Sequence, residues 1–132
     1  MSLKFINPTS LGTPRGFSNG VLTEPGSRLL FIAGQIASDE QQKISNTDFV
    51  AQFERALANV IAVVSEAGGR PEQIVRLTIY VTDKSEYARR TREVGERYRG
   101  LMGNHFPAMA LIEVKGLLDD AAKVEIEAVA AL

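Results

Sequence analysis

The spacing of apolar residues changes at a Gly-Gly pair in the middle of the chain, and this change restricts what the chain can fold into. Between Asp48 and Ala67 apolar residues recur at three- and four-residue steps, which predicts a helix with one apolar stripe. Asn46 or Thr47 can cap its start, and Gly68-Gly69 ends it. From Gln73 to Thr82 the residues alternate strictly, which predicts a half-buried strand. The apolar residues of the helix are Phe49, Phe53, Leu57, Val60 and Val64, and those of the strand are Val75, Leu77, Ile79 and Val81. A helix and a strand of this kind bury their apolar faces by packing together.

The segments before this helix predict a hairpin. Residues 1–15 contain several Pro and Gly residues, and we expect them to be irregular. Gly16 to Thr23 alternates loosely and predicts a strand, while Arg28 to Ile36 is largely apolar and predicts a buried strand. Glu24-Pro25-Gly26-Ser27 lies between them, with Pro and Gly in adjacent turn positions. We therefore expect these two strands to pair with each other.

The second half of the chain adds one helix and two strands. The helix is expected from about Ser85 to Met102, with Gly103 as its C-cap, and the strands over Ala108 to Val114 and Lys123 to Ala131. The residues expected to face inward from the helix are Tyr87, Thr91, Val94, Tyr98 and Leu101. The order is then β-β-α-β-α-β-β, and 132 residues are enough for one domain. We predict a single two-layer α+β domain over residues 1–132, with one sheet and both helices on one of its faces.

Composition excludes several classes of function. A net charge of -1 argues against a protein whose main role is to hold a polyanion, so nucleic acid is not an expected partner. The absence of cysteine excludes disulfides and thiolate chemistry, and a single histidine excludes a multi-His metal centre. No stretch approaches the roughly 20 apolar residues of a membrane span, so no membrane partner is expected. The first residues lack the apolar core of a signal peptide, and we expect a cytoplasmic protein.

Four segments carry a family resemblance. The first is Ile32-Ala33-Gly34-Gln35-Ile36, and the second is the strand Val75 to Thr82 followed by Asp83. The others are His105-Phe106-Pro107-Ala108-Met109-Ala110-Leu111-Ile112-Glu113-Val114 and Lys123-Val124-Glu125-Ile126-Glu127-Ala128-Val129-Ala130. In this order and at these spacings, the chain resembles the RidA (YjgF) family of imine and enamine deaminases along nearly its whole length.

The resemblance implies an architecture and a kind of site. Members of that family have a chorismate-mutase-like fold and form homotrimers, with small-molecule sites in the clefts between subunits. The implied reaction is hydrolysis of a C=N bond, which needs no metal or organic cofactor, because a protonated imine is already electrophilic.

Glu125 is the candidate catalytic residue. It matches the family glutamate on the last strand that positions the attacking water, a role that needs a proton acceptor or relay. From the spacing alone, Glu125 and Glu127 are more simply the polar face of an alternating strand. The resemblance favours a site role for Glu125 and leaves Glu127 as a surface residue. We also expect Phe17, Met109 and Leu111 to surround Glu125 and to raise its pKa.

Met109 departs most from the family pattern. The residue after Phe-Pro-Ala is usually an Arg, whose planar guanidinium pairs with the substrate carboxylate through two hydrogen bonds. Methionine offers neither charge nor donor. Phe17 stands where a Tyr is common, Ala33 where a Ser often precedes Gly-Gln, and Leu111 where a Cys is frequent. The site is therefore expected to be more apolar than usual, and imines derived from ordinary amino acids are not the expected substrates.

Two other cations are candidates to replace the missing Arg. Arg15 lies two residues before Phe17, and His105 lies four before Met109. The simpler interpretation of Arg15 is a solvated loop cation, and that of His105 is a surface or capping residue. His105 is the only side chain whose unperturbed pKa lies near neutrality, so it is a candidate binding residue worth testing.

Three functions remain open. The first is hydrolysis of an imine or enamine, and the second is non-catalytic binding of a small ligand in the same clefts. The third, an endoribonuclease, is suggested by an arginine cluster, but glutamates alternate with these arginines at three- and four-residue steps, which usually marks a solvated helix face with ion pairs. The arginines are Arg89, Arg90, Arg92, Arg97 and Arg99, and the glutamates are Glu86, Glu93 and Glu96.

Overall fold

The structure, a computed structural model, describes residues 2–132. This part of the chain contains six strands and three α-helices, with short 3₁₀ turns at Thr9–Leu11 and Pro71–Gln73. The elements are β1 (Lys4–Ile6), β2 (Gly20–Leu22), β3 (Leu29–Gln35), α1 (Phe49–Glu66), β4 (Ile74–Val81), α2 (Lys84–Arg89), α3 (Thr91–Met102), β5 (Ala108–Glu113) and β6 (Val124–Ala131). No helix within residues 2–132 is both long enough and apolar enough to cross a membrane.

The main sheet has four strands in the order β3-β6-β4-β5. β6 is antiparallel to β3 and β4, whereas β4 and β5 are parallel. Helices α1 and α3 cover one face of this sheet and share its core. The predicted two-layer α+β architecture is therefore confirmed.

The core lies between α1 and the central strands. The core-facing side chains of β4 and β6 alternate with polar ones, as the sequence predicts for half-buried strands. At the start of β4 the alternation is broken, because the pairing with β6 shifts between Ile74 and Arg76. Ile74 is therefore buried and Val75, which we expected in the core, is only half-buried.

Helix α1 has the predicted stripe but a different cap. All five apolar residues expected on the stripe are buried. Asp48, rather than Asn46 or Thr47, is the N-cap, and its carboxylate accepts a hydrogen bond from Ala51 N at 3.0 Å. Asn46 instead accepts a hydrogen bond from Asp48 N at 2.9 Å. Gly68, at φ +85°, follows the helix in the left-handed region, which confirms the predicted stop.

The second predicted helix is two helices. Arg90 interrupts it at φ -118° and ψ 19°, so α2 ends at Arg89 and α3 begins at Thr91. The Arg90 guanidinium binds Asp48 of the α1 cap at 3.0 Å and Glu93 at 2.7 Å. These two ion pairs hold the interruption in place and connect α3 to the start of α1. Gly103 is the C-cap at φ +65°, as predicted.

The expected pairing of the first two predicted strands is wrong. β2 pairs with β1, in a segment that we expected to be irregular, and Phe5 lies opposite Val21. β3 pairs instead with β6, and the backbones of Arg28 and Leu132 exchange hydrogen bonds of 3.0 and 2.8 Å just beyond the two strands. The long C-terminal strand offers β3 more backbone partners than the three-residue β2 does, and tertiary pairing overrides the local turn signal.

Among residues 2–132, no helix lies over the second face of the main sheet. Leu29 and Phe31 of β3 are 54% and 74% exposed there. Tyr80 and Glu127 lie on the same face. We call this face the open side of the sheet, and the other face the helix side.

Candidate functional site

The sheet separates the candidate site residues into two groups. Met109 and Leu111 of β5 lie beside Leu77 and Ile79 of β4 and pack against the core on the helix side. Glu125 of β6 pairs with Tyr80, whose side chain points to the open side. Within one chain, Glu125 therefore does not meet Met109 or Leu111. The apolar side chains of Phe17, Met109 and Leu111, which the sequence places around Glu125, do not surround it within one chain.

A pocket on the helix side contains Met109. Its volume is about 260 Å³, just below the range of about 300–1,000 Å³ that is usual for drug-sized ligands. Six of the residues that line it are Tyr87, Thr91, Tyr98, Arg99, Phe106 and Met109. The lining is mostly apolar and aromatic, with a small number of polar groups, as in sites for small metabolites.

Two stacked rings form one wall of this helix-side pocket. Tyr98 and Phe106 are nearly parallel, with ring centroids 5.3 Å apart. The Tyr98 hydroxyl donates a hydrogen bond of 2.6 Å to the carbonyl of His105, and burial raises the pKa of Tyr98 far above its usual value. The Tyr98 hydroxyl is therefore a fixed neutral donor and not a proton source near neutral pH. Burial also raises the pKa of Tyr87.

Arg99 brings a positive charge to the same pocket, and sequence reasoning missed it. Its guanidinium lies over the backbone of Gly95, one helical turn earlier, with Nη1 3.2 Å from the place a Cβ would occupy there. The sequence contained one relevant signal, a glycine four residues before an arginine within a helix. The charge pattern of the sequence instead predicts that Arg99 shares a solvated, ion-paired helix face with its neighbours.

Glu125 lies on the open side over another glycine. Its carboxylate covers the Cα of Gly34, and a Cβ at that position would overlap it. Glu125 is half-buried, and its carboxylate has no hydrogen bond or ion pair with any residue from 2 to 132. Glu125 also borders a groove with Ser38 and Asp119. Ala33 is exposed beside Gly34 and provides only an apolar side chain.

Glu127 differs from Glu125 in having a partner. The Tyr80 hydroxyl donates a hydrogen bond of 2.8 Å to Glu127 Oε1. This bond, followed by desolvation and the nearby negative charges, raises the pKa of Tyr80. The expected surface role of Glu127 agrees with this pairing, whereas Glu125 has an unpaired carboxylate.

The structure does not bring His105 to Met109. The His105 ring is buried, and its Nε2 lies 2.6 Å from the carbonyl oxygen of Ile74, so this nitrogen donates the hydrogen bond. Its ring edge also contacts Phe5, with centroids 5.8 Å apart. His105 therefore connects the loop before β5 to the start of β4, and its burial makes the interpretation as a surface residue wrong. It does not line the helix-side pocket that contains Met109.

The segment that contains Arg15 and Phe17 lies at the margin of the pocket. Gly16 lines the helix-side pocket, whereas Arg15 is exposed and is not part of the lining. Phe17 is 38% exposed and borders a separate groove with Phe5 and Phe106. In one chain, neither side chain takes the place of the missing β5 arginine.

Most of the arginine cluster is paired with carboxylates. Arg92 and Glu96 lie 3.7 Å apart, and Arg97 and Glu54 4.0 Å apart, in addition to the pairs of Arg90. These pairs confirm the expectation of a mixed-charge helix face. They leave few free cations for a polyanion.

Comparisons with known proteins identify the family. A family model described as endoribonuclease L-PSP matches residues 10–132. The 2-iminobutanoate/2-iminopropanoate deaminase of Salmonella typhimurium is 34% identical over 105 residues, which cover 77% of this chain and 78% of that protein.

Solved structures agree with this assignment. The conserved Rid family protein YyfB from Yersinia pestis superposes with a TM-score of 0.87 at 32% identity over the whole of both chains. The structure of E. coli TdcF with bound serine gives a TM-score of 0.70 at 29% identity, covering 92% of this chain and 91% of that one. This chain therefore belongs to the endoribonuclease L-PSP family, the RidA (YjgF) family that its sequence motifs indicate.

Proposed function

We propose that this protein hydrolyses the C=N bond of a reactive imine, or of an enamine through its imine tautomer, in clefts between the subunits of a homotrimer. The observation that carries the proposal is the unpaired carboxylate of Glu125, held over Gly34 on the last strand. Relatives that are 33–34% identical are imine deaminases, which supports a reaction of this general type. We also propose that the protein acts in the cytoplasm.

Glu125 has the chemistry that such a hydrolysis needs. Its carboxylate accepts a proton as a water oxygen adds to the imine carbon and the C=N π bond opens onto nitrogen. From the adduct of a protonated imine, this proton passes to the amino nitrogen, and the C–N bond breaks to release ammonia. The carbonyl forms as the hydroxyl proton passes to the Glu125 carboxylate and from there to solvent. No hydrogen bond to residues 2–132 competes for the carboxylate, so it is free to orient a water.

The separation of the two groups of residues supports an assembly of subunits. A site that combines Glu125 with Met109 requires the open side of one chain to meet the helix side of another. The exposed Leu29 and Phe31 on the open side favour such burial, because monomers rarely leave a contiguous apolar surface in water. A closed ring of three copies, as the family resemblance implies, hides that surface without leaving an unpaired interface.

The apolar β5 wall restricts the substrate. Met109 and Leu111 offer no charge to a carboxylate attached directly to the imine carbon. A buried bidentate pair with arginine is worth several kcal/mol, so its absence weakens binding of such imines by orders of magnitude. We therefore propose a substrate other than the imines of ordinary amino acids.

The test is hydrolysis of a panel of imines, generated in situ from amino acids and amines, above the spontaneous rate. We expect Glu125→Gln to lower turnover by about a hundredfold, the scale of general acid–base catalysis, with the fold and the assembly intact. Glu127→Gln is the matched control, since it removes a carboxylate from the same face, and it should keep at least half of the activity. Parental turnover in Glu125→Gln would show that the mechanism is wrong.

The second candidate is a binding protein without hydrolytic activity. It is favoured by the loss of polar side chains at Phe17, Ala33, Met109 and Leu111 relative to the family pattern. Saturable ligand binding without hydrolysis of any imine in the panel would support it. The endoribonuclease comes last, because the arginines needed for it are largely ion-paired. Its test is salt dependence, since binding to RNA should weaken steeply as salt is added.

A further inference from the structure

We infer that Arg99 holds a carboxylate in the helix-side pocket, so that the cation missing from β5 is supplied by α3. The inference that this carboxylate belongs to the substrate rests on the proposed function. The inference that Arg99 binds a carboxylate does not depend on it. Met109 lies on the sheet wall of the pocket and Arg99 on the helix wall. A ligand held by Arg99 is therefore oriented differently from one held by an arginine at position 109.

The backbone at Gly95 makes the position of Arg99 possible. The guanidinium lies directly over this glycine, where any side chain would be in contact with it. Glycine within a helix lowers its stability by about 1 kcal/mol relative to alanine, so Gly95 destabilises α3 locally. Its consequence here is a guanidinium that lies against the helix at the wall of the pocket, although the Arg99 side chain remains exposed.

The charge of Arg99 is also unused. Arg90, Arg92 and Arg97 each have a carboxylate within 4.0 Å. Within residues 2–132, no carboxylate lies within that distance of Arg99. A guanidinium has five N–H donors in a planar fork, and an unpaired one at a pocket wall suits the two oxygens of a carboxylate.

The remaining lining defines the other end of the ligand. Tyr98 and Phe106 present a stacked aromatic wall, and Met109 adds a flexible apolar side chain that packs well against flat groups. With about 260 Å³ available, the ligand is a small carboxylate with a flat, apolar body. As a substrate it carries the carboxylate apart from the imine carbon, which distinguishes it from the imines of ordinary amino acids.

The test compares benzoate with its neutral isostere benzamide, in NMR titrations of the protein as it exists in solution. We expect wild-type protein to bind benzoate saturably and at least about tenfold more tightly than benzamide, the scale of one charge-assisted pair. Arg99→Gln should remove this preference, and Arg99→Lys should restore part of it. Arg92→Gln is the matched control, because Arg92 is an exposed α3 arginine outside the pocket, and it should bind as wild type does.

Two results would overturn the inference. One is an equal benzoate affinity in wild type and Arg99→Gln, and the other is no saturable binding of benzoate by the wild-type protein. Arg99 is exposed, so circular dichroism of the variants should match wild type and exclude misfolding as the cause. Loss of hydrolysis in the Glu125 experiment leaves these titrations unaffected, so the two proposals fail separately.

Discussion

The two faces of the main sheet differ in how far a single chain buries them. On the helix side the core is formed within one chain. Helix α1 contributes fully buried side chains such as Leu57, and no buried side-chain polar atom from residue 2 to 132 lacks a partner. The open side combines exposed Phe31 with the unpaired Glu125. The comparison teaches that stability is located on one face and that the proposed chemistry depends on what covers the other.

The largest effect on stability is expected from the helix side. Leu57→Ala leaves a cavity at a fully buried position and should lower the free energy of unfolding by about 2–5 kcal/mol. Urea denaturation followed by circular dichroism measures this loss. It should be the same at all protein concentrations if this face is stable within one chain, and a strong concentration dependence would contradict the comparison.

A charge on the open side should act on assembly instead. Phe31→Glu introduces a carboxylate at a side chain that is 74% exposed in one chain, and we expect it to dissociate the proposed trimer into folded monomers. Sedimentation velocity at micromolar concentration distinguishes the two masses. Leu11→Glu is the matched control, since Leu11 is 66% exposed but lies away from the sheet. A monomeric wild-type protein would refute the proposed trimer.

A smaller effect, a gain of activity, is expected on the sheet wall of the pocket. Met109→Arg places a guanidinium on β5 and should raise hydrolysis of imines from ordinary amino acids by about tenfold or more, the value of one charge-assisted pair. Met109→Leu should leave the low wild-type rate unchanged. If the wild-type rate already equals that of a deaminase with the β5 arginine, Arg99 or Arg15 must hold the carboxylate.

The smallest effect is expected at the α1 cap. Asp48→Ala should cost about 1 kcal/mol of stability near neutral pH. The hydrogen bond from Arg90, and then that from Ala51 N, hold the pKa of Asp48 below its usual value in the folded state. Its contribution is therefore full above the unfolded pKa of about 4 and is lost as the pH falls through the lower folded pKa. Urea titrations at several pH values should show the wild-type advantage shrinking in acid.

Long periodic segments were predictable from the sequence, and short or tertiary features were not. The stripe of α1 and the alternation of β4 follow from local side-chain pattern, and Gly68 and Gly103 mark helix ends by their backbone freedom. The three-residue β1 is too short to show a period, and the register shift at Ile74 depends on its pairing with β6. Neither the short strand nor the register shift can be predicted from the local pattern of residues.

The sequence motifs propose individual site residues, which remain a prediction, and they do not give the arrangement of these residues. The motifs identified Glu125 and Met109, yet only the strand register shows that they face opposite sides of the sheet. Arg99 was missed because its spacing from the glutamates matches a solvated helix face. Its contact with Gly95 is local to α3, whereas its place in the pocket wall depends on how α3 packs against the sheet.

Gly34 makes the proposed catalytic carboxylate vulnerable to a change elsewhere in the sequence. Because Glu125 occupies the space where a side chain at position 34 would begin, even Gly34→Ala forces the carboxylate to move, although residue 125 is unchanged. We therefore expect substitutions at these two positions to have coupled effects on where the carboxylate lies. In a homologue that keeps the glutamate but replaces this glycine, we expect the carboxylate to be present in a different position.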